Sequence, residues 1–299
     1  MRLSQDTIYV NMVKTLHMDK KSTNLKFIFD LDGTLLTSDK VLTTETIKQI
    51  HLLQAQNHLV FIATGRPYYM NKEIIELLNI QTPIISANGA AIYDPKTEKI
   101  IYSNTFSQKD AEQITLILEK YQIDFLAYAL DQMLGENIHN PLWFEKMIYP
   151  KVKDPSYKYS WKYTETQVSK ETQNLKFIKF LILAQKIEPS ILEKALAEIE
   201  KVSSNIYFVK SQSSVIDIMP KGSNKWNSVQ KAFAYMNLDI SNSYAFGDAL
   251  NDFEMIKNAS CGIAMGNAVA EVKKVAKIII DTNDNEGVAR FLARNGYED

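Results

Sequence analysis

The sequence predicts an α/β protein with a Rossmann-like parallel-sheet core and an inserted α+β cap domain. The chain has 299 residues, and at ~150 residues per domain that length suits roughly two domains. Short apolar runs alternate with helical patterns near both ends of the chain, as the strands and crossover helices of a parallel sheet do. Between residues 88 and 212 this alternation stops, and shorter strand patterns surround two helical stretches.

The first half of the core alternates strands with helices. Residues 25–29 form an apolar run typical of a strand buried on both faces. Residues 43–56 carry apolar side chains at helical spacing behind a threonine that can cap a helix. A second apolar run at 59–63 is followed by Pro67, which suits the first turn of a helix. Residues 83–85 predict a third parallel strand.

The middle region predicts a separate domain, after which the core pattern returns. Its strand patterns and helical patterns lie at 100–102, 111–121, 176–183, 191–202 and 206–209. Later apolar runs predict core strands at 215–218, 244–246, 263–265 and 278–280, and a helix begins near Asn224.

On this pattern the chain divides into a leader, a core and an insert. Residues 1–23 are expected to be a loose leader, and a true start at Met18 stays an alternative. Residues 24–87 and 213–299 form the predicted core. Residues 88–212 form the predicted α/β cap.

Composition and charge exclude several classes of protein. Lys plus Arg number 34 and Asp plus Glu number 35, a balance that disfavours nucleic acid or an anionic membrane surface as a partner. The single Cys261 cannot form an internal disulfide, so a cytoplasmic setting is expected. The longest apolar run has six residues, whereas a bilayer span needs ~20. No motif determines the oligomeric state.

Polar clusters follow three of the predicted core strands. They lie at residues 30–34, 64–66 and 247–252. Because the carboxyl ends of neighbouring parallel strands face one crevice, we expect these clusters to converge. Asp30 and Asp32 are two residues apart, so in extended backbone their side chains would point the same way. These two carboxylates and Asp248 are therefore expected to share one small volume.

Three carboxylates in one site predict a bound cation. Unpaired like charges raise one another's pKa and destabilise the fold, and a hard divalent cation removes that repulsion. Oxygen-only ligands favour Mg²⁺, which also keeps a substrate phosphate among its ligands. A magnesium site near glycines, the Thr64 hydroxyl and a lysine is suited to phosphoryl transfer. An aspartate can accept the phosphoryl group, which divides hydrolysis into two easier steps.

Four motifs taken together resemble those of the haloacid dehalogenase-like phosphohydrolases. They read FIFDLDGTL at 27–35, TGR at 64–66, PKGSNK at 220–225 and GDALND at 247–252. The sequences NGA at 88–90 and AMGNA at 264–268 narrow the resemblance to the Cof-type branch, which has an α/β cap between the second and third motifs. Four motifs in this order are far more specific than any one of them. The resemblance begins near residue 25 and is weak within the cap.

The resemblance implies a Mg²⁺-dependent phosphatase and a role for each matching residue. Asp30 would be the nucleophile and a metal ligand. Asp32 would be the general acid and base, and its backbone carbonyl would touch the metal. Asp248 would be the remaining protein ligand of the metal, and Asp252 would orient the lysine of the third motif. The phosphoryl oxygens would be held by the amides of Leu31 and Gly65 and by Thr64, Lys225 and Asn251.

Several residues near these motifs keep alternatives open. Arg66 suits a substrate contact and a structural salt bridge equally well. Trp226 stands where the family usually has a glycine, and Lys221 lies four residues before Lys225. We assign the third-motif lysine to Lys225, because it fits the family's register and opens a helix. Asn88, before a glycine, is interpreted as part of a domain hinge rather than a ligand.

The expected substrate is a small phosphorylated metabolite, either a sugar phosphate or a phosphorylated cofactor. The insert would close over it, exclude water and select the leaving group. A phosphomutase of the same superfamily is the near alternative, because it differs only in where the phosphoryl group goes. A non-enzymatic receiver-like module that stores a phosphoryl group on aspartate is an alternative of another class. Asp32 and the insert argue against that module.

Overall fold

The computed structural model describes residues 24–136, 162–184, 187–212 and 215–295. It confirms the predicted α/β fold class, with a parallel sheet in the core and a separate second sheet. The expected leader at 1–23 lies outside the described residues. Within the described ranges, no helix combines the length and the apolar character needed to span a bilayer.

The predicted strands and helices appear in the predicted order, and strands that the sequence analysis did not predict lie between them, at 91–94, 125–129, 132–136 and 162–165. The strands are β1 Lys26–Phe29, β2 Leu59–Ile62, β3 Ile84–Ser86, β4 Ala91–Asp94, β5 Lys99–Ser103, β6 Phe125–Ala129, β7 Gln132–Glu136, β8 Lys162–Glu165, β9 Phe177–Leu183, β10 Ile206–Gln212, β11 Val215–Pro220, β12 Ser243–Gly247, β13 Cys261–Ala264 and β14 Ile278–Ile279. The α-helices are α1 Thr44–Ala55, α2 Lys72–Leu77, α3 Gln108–Lys120, α4 Pro189–Val202, α5 Lys225–Tyr235, α6 Phe253–Asn258, α7 Ala270–Val275 and α8 Gly287–Arg294.

Two helix starts illustrate the local rules. Thr43 caps α1, and its side chain accepts a hydrogen bond from the N–H of Thr46. Pro67 does not open α2, because it keeps an extended ψ of 152° and a short 3₁₀ helix at Tyr68–Met70 comes first.

The core sheet is parallel, with the strand order β14-β13-β12-β1-β2. β1 lies between β12 and β2, and its last residue, Phe29, pairs with Phe246 on one side and Ile62 on the other. The rings of Phe29 and Phe246 stack with their centroids 4.7 Å apart. Since parallel neighbours end at the same edge, the residues that follow β1, β2 and β12 open onto one crevice.

A small sheet, β3-β4-β5, extends the core beside β2. β3 touches β2 through a single parallel bridge between Ala63 and Ile85, and it pairs antiparallel with β4. Ile85 and Ile92 belong to the same buried hydrophobic cluster as β1. The predicted third strand is therefore present, but the chain after residue 88 first turns back onto the core.

The second sheet has the strand order β10-β11-β9-β6-β7-β8. Its neighbours are antiparallel, except for β7 and β8. Alternate side chains of a strand point to opposite faces. One face, which includes Phe180, packs against apolar residues of α3 and α4. The other face, which includes Tyr128 and Met219, packs against Tyr69 and Ala87 of the core.

β11 joins the second sheet, whereas the sequence predicted a strand of the parallel core at this position. It lies antiparallel between β10 and β9, with Asp217 opposite Leu181. The apolar pattern correctly indicates a buried strand, but burial alone does not determine which strand is its neighbour. The described residues that pair in this sheet or pack on its outer face begin at Phe106 and end at Pro220, whereas the predicted cap spans 88–212.

Candidate active site

The turn after β1 brings the first and fourth motifs together. Asp30 is buried at the end of β1, and its N–H donates to the carbonyl of Phe246 at 3.1 Å. Gly33 has a φ of +84°. A Cβ at this position would lie 2.4 Å from Asp248 Oδ2. Only glycine meets both conditions, so Gly33 allows Asp248 to approach the turn.

Lys225 links the third motif to two carboxylates. Asn224 caps α5 by accepting the N–H of Asn227, and Lys225 is the first helical residue. Its Nζ lies 2.6 Å from Asp30 Oδ1 and 2.6 Å from Asp252 Oδ1. Burial alone would lower the pKa of Lys225, but the charges of Asp252 and Asp30 raise it above its usual range. The buried ammonium therefore stays charged.

Asp252 connects Lys225 with the fourth motif. Its Oδ2 accepts hydrogen bonds from the N–H groups of Asp248 and Ala249 at 2.9 and 3.0 Å. Its Oδ1 holds the ammonium of Lys225. Lys221, the other lysine of the third motif, is exposed and makes no such contact among the described residues.

Three carboxylates come close enough to share a cation. One oxygen each of Asp30, Asp248 and Asp252 lies within 4.8 Å of the others. Burial, opposed by Lys225 and aided by the charges of Asp252 and Asp32, raises the pKa of Asp30 to about 7. Burial and the charges of Asp252 and Asp30 raise the pKa of Asp248 to about 8. The single ammonium of Lys225 does not balance the charge of three carboxylates, and their oxygen atoms fit a hard divalent cation.

The third carboxylate of this cluster differs from the one we predicted, because the side chain of Asp32 turns elsewhere. Arg66 donates to it twice, with Nε and Nη2 each 2.7 Å from a carboxylate oxygen, and Lys40 Nζ lies 2.8 Å from Oδ1. Burial would raise the pKa of Asp32, but Arg66 and Lys40 hold it well below its usual range. The intervening Leu31 is in a turn, so the two-residue spacing does not bring the Asp32 carboxylate into this cluster, although Asp32 lines the same cavity as Asp30.

The residues expected to hold the phosphoryl group lie around the same crevice. Thr64 is buried, and its Oγ1 accepts the N–H of Arg66 at 3.1 Å. Gly65 and Asn251 line the cavity. Leu31 is buried in the turn after β1, and its carbonyl accepts the hydrogen bonds that close that turn.

A cavity of about 440 Å³ lies between this crevice and the second sheet. Small-molecule sites have volumes of about 300–1,000 Å³, so the space suits a metabolite rather than a polymer. The core contributes aspartates of the first and fourth motifs and several loop residues, the last of which along the chain is Asp284. The second sheet contributes Leu126, Tyr128, Lys179, Leu181 and Val215.

Residues 27–292 match the family model described as haloacid dehalogenase-like hydrolase. The chain belongs to this hydrolase family. The match includes the four motifs and both sheets, and it confirms the Cof-type resemblance predicted from the motifs.

Relatives of this haloacid dehalogenase-like hydrolase are phosphatases. The 5-amino-6-(5-phospho-D-ribitylamino)uracil phosphatase YitU of Bacillus subtilis is 31% identical over 267 residues, covering 88% of this chain and 94% of the relative. The pyridoxal phosphate phosphatase YbhA of Escherichia coli is 26% identical over 269 residues, covering 88% and 95%. A haloacid dehalogenase-like hydrolase from Bacteroides thetaiotaomicron has a TM-score of 0.78 at 25% identity, covering 91% and 99%. The protein is a phosphoric monoester hydrolase, not a receiver-like module.

Four side chains in or beside the cavity of this hydrolase were not predicted from the sequence. They are Lys40, Tyr128, Lys179 and Asp217. Lys179 and Asp217 interrupt the apolar runs of β9 and β11, and a charge inside a buried strand is a signal of a specific partner. Nothing in the sequence identifies the partner, because the two strands are joined only by sheet pairing.

Proposed function

We propose that the protein is a Mg²⁺-dependent phosphatase that hydrolyses a small phosphorylated metabolite through an aspartyl-phosphate intermediate. The observation that carries the proposal is the position of Asp30. Its carboxylate lies at the end of β1, beside Lys225 and Asp248, and faces the cavity. A nucleophile needs this combination of positive charge and access to the substrate.

The proposed metal ligands are the carboxylates of Asp30 and Asp248 and the backbone carbonyl of Asp32. The oxygen-only donor set and the raised pKa values of Asp30 and Asp248 support a divalent cation. The carboxylate of Asp252 lies close by but already holds Lys225 and two backbone amides. Bound Mg²⁺ would offset the charge of the carboxylates and of the phosphoryl group.

The reaction takes place in two displacements. In the first, an oxygen of Asp30 forms a bond to phosphorus, the ester P–O bond breaks, and Asp32 gives a proton to the leaving oxygen. In the second, Asp32 takes a proton from water as that water attacks phosphorus. The bond from Asp30 to phosphorus then breaks, and inorganic phosphate leaves.

The ion pairs of Asp32 with Arg66 and Lys40 suit its role as a base. Its role as an acid requires its pKa to rise when the substrate binds. Without substrate, Arg66 and Lys40 favour the ionised form of Asp32. A bound phosphoryl dianion competes for these cations and raises the pKa of Asp32, so that it can carry the proton. Arg66 Nη1, which has no hydrogen-bond partner among the described residues, is the group we assign to the substrate.

The phosphoryl oxygens are assigned to the amides of Leu31 and Gly65 and to Thr64, Lys225 and Asn251. Asp252 positions Lys225 through their 2.6 Å ion pair and does not itself contact the phosphate. The leaving group would occupy the side of the cavity formed by the second sheet, where Leu126, Leu181 and Val215 offer apolar contacts. The second domain thereby selects the substrate.

We propose a sugar phosphate or a phosphorylated cofactor as the substrate, and cytoplasmic location stays a prediction. The test is a hydrolysis screen with Mg²⁺ against phosphorylated sugars, nucleotides and vitamin cofactors, including pyridoxal phosphate. We expect multiple turnovers with release of inorganic phosphate. An isomeric sugar phosphate as the product would support the phosphomutase instead, and a single stable phosphorylation without turnover would refute the phosphatase.

A further inference from the structure

A buried chain of polar side chains joins the second sheet to the phosphate-binding loops. Lys179 Nζ lies 2.9 Å from Asp217 Oδ1, and Asp217 Oδ2 accepts a hydrogen bond from Asn88 Nδ2 at 2.8 Å. Asn88 Oδ1 in turn accepts one from Asn251 Nδ2 at 2.9 Å. We call Lys179, Asp217, Asn88 and Asn251 the amide relay. Lys179 also donates to the carbonyl of Gly65 at 3.2 Å, so both ends of the relay, Lys179 and Asn251, touch the phosphate site.

The centre of the relay is buried and tied to the backbone of the second motif. Asn88, Lys179 and Asp217 are 2%, 2% and 0% exposed, so their hydrogen bonds do not compete with water. Asn88 has a φ of +54°, a left-handed conformation that asparagine tolerates better than most residues. Its N–H donates to the carbonyl of Thr64 at 3.0 Å, which ties its backbone to the second motif. Asn88 therefore belongs to the site as well as to a turn.

The charge on Asp217 determines which way both amides face. A carboxylate that pairs with Lys179 offers only acceptors, so Asn88 must present its NH₂ group to Asp217. The carbonyl oxygen of Asn88 then faces Asn251, which must answer with its own NH₂ group. Asn251 Oδ1 has no hydrogen-bond partner among the described residues, so Asn88 is the contact that orients this amide. One N–H of Asn251 is thereby left for a phosphoryl oxygen.

We propose that Asn88 and Asp217 are positioning residues, which fix the amide of Asn251 with its donor toward the phosphoryl group. The proposal rests on the proposed function, in which Asn251 binds phosphate. Because Asp217 and Lys179 lie on β11 and β9, the relay is complete only when the second sheet is seated on the core. Seating of the substrate-selecting domain is in this way coupled to the geometry of the phosphate site.

The test is a double-mutant cycle with orthophosphate as the competitive inhibitor. We expect Asn88→Ala and Asn251→Ala each to raise the inhibition constant of orthophosphate and the KM of the ester about tenfold, with kcat changed less than about threefold. Asn88→Ala should have no further effect in Asn251→Ala enzyme, because it acts through that amide. Multiplied effects of the two substitutions, or an unchanged inhibition constant in Asn88→Ala enzyme, would overturn the proposal.

Asp217 is tested in the same way. Asp217→Asn keeps the shape of the side chain but replaces a carboxylate, which can only accept hydrogen bonds, with an amide that can also donate. We expect this change to raise the inhibition constant of orthophosphate about threefold in otherwise wild-type enzyme and to have no effect in Asn251→Ala enzyme. Lys179→Gln with Asp217→Asn is the second variant, because it leaves no unpaired buried ammonium and so protects folding. A wild-type constant in both variants would contradict a role for Asp217.

The matched control is Asn104→Ala. Its amide also joins distant segments, donating to Lys221 O at 3.1 Å and to Ser223 Oγ at 2.8 Å, but it does not touch the relay. We expect its orthophosphate constant to stay within about twofold of wild type, and an effect as large as that of Asn88→Ala would refute the relay. An unchanged constant in Asn251→Ala enzyme would overturn the relay and the assignment of Asn251 to the phosphate, but not the phosphatase activity. Normal turnover in Asp30→Asn enzyme would instead overturn the proposed function.

Discussion

Lys225 Nζ and Asp30 Oδ1 lie 2.6 Å apart, although 195 residues separate them in the chain. The contact joins the first residue of α5 to the end of β1 and is completed by Asp252 on the other side of the ammonium. Both side chains are almost completely buried, so neither charge is compensated by water. The proposed nucleophile and the proposed phosphate ligand are therefore one electrostatic unit. Removing Lys225 leaves Asp30 without its cation, whereas removing the charge of Asp30 leaves Lys225 paired with Asp252 alone.

Asp30→Asn removes the proposed nucleophile with little change in shape. We expect kcat to fall by about 1,000-fold or more, because an amide does not form the phosphoryl intermediate. Phosphate release from p-nitrophenyl phosphate measures the loss. The control is Asp239→Asn, which makes the same chemical change at an exposed carboxylate paired with Lys26 and should keep normal turnover. Activity near that of wild type in Asp30→Asn would end the proposed mechanism.

Lys225→Ala and Lys221→Ala distinguish the two lysines of the third motif. We expect at least about a 100-fold loss of kcat/KM for Lys225→Ala, since it removes the cation beside Asp30. Lys221 is exposed, so its variant should remain within about twofold of wild type. Equal, modest losses in steady-state kinetics would show that the assignment to Lys225 is wrong.

Gly33→Ala tests the close approach of the first and fourth motifs. The added Cβ would lie 2.4 Å from Asp248 Oδ2, at a φ of +84°. We expect the free energy of unfolding to fall by about 2–3 kcal/mol, from backbone strain and displacement of Asp248. Gly222→Ala is a matched control, because its φ is +88° but nothing lies within 4 Å of the added Cβ. Its cost in urea denaturation should be about 1 kcal/mol, and equal costs would contradict the contact argument.

Binding of Mg²⁺ should strengthen as the pH rises. The pKa values of about 7 for Asp30 and about 8 for Asp248 mean that protons compete with the cation below pH 8. We expect affinity to fall by up to about tenfold for each pH unit and each proton displaced, measured by calorimetric titration between pH 6 and 9. Affinity that is constant over this range would contradict a site built on these two carboxylates.

The raised pKa values of Asp30 and Asp248 also predict that the stability of the metal-free protein falls as the pH rises. A carboxyl whose pKa is raised on folding stabilises the protein in its protonated form, and that contribution is lost as the pH rises through the folded pKa. The free energy of unfolding of metal-free protein should therefore decline because of these two groups as the pH rises from about 4, where carboxyls of the unfolded chain titrate, to about 7 to 8. Added Mg²⁺ should raise the thermal midpoint more at pH 8.5 than at pH 6, and removal with EDTA should be reversible.

The sequence predicted most elements correctly, because their signals are local. These signals are the identities of neighbouring residues and the periodic spacing of apolar side chains. They predicted the cap at Thr43, the strand at Lys26–Phe29 and the start of α5 at Lys225. The strand at Val215–Pro220 was also predicted, but it was placed in the wrong sheet. Strand pairing is a long-range property, and an apolar run has the same appearance beside either sheet.

By itself, the sequence determined the fold class and the family, because the motifs at the ends of the core strands can be recognised from their residues and their order along the chain. Only the tertiary structure decided which charges meet. It turns Asp32 toward Arg66 and Lys40, brings Asp252 into the carboxylate cluster, and joins Asn88 to Asp217 across the two domains. The physical reason is that an ion pair or a buried hydrogen bond depends on distances of a few ångströms between segments whose separation in sequence says nothing about their contact in space.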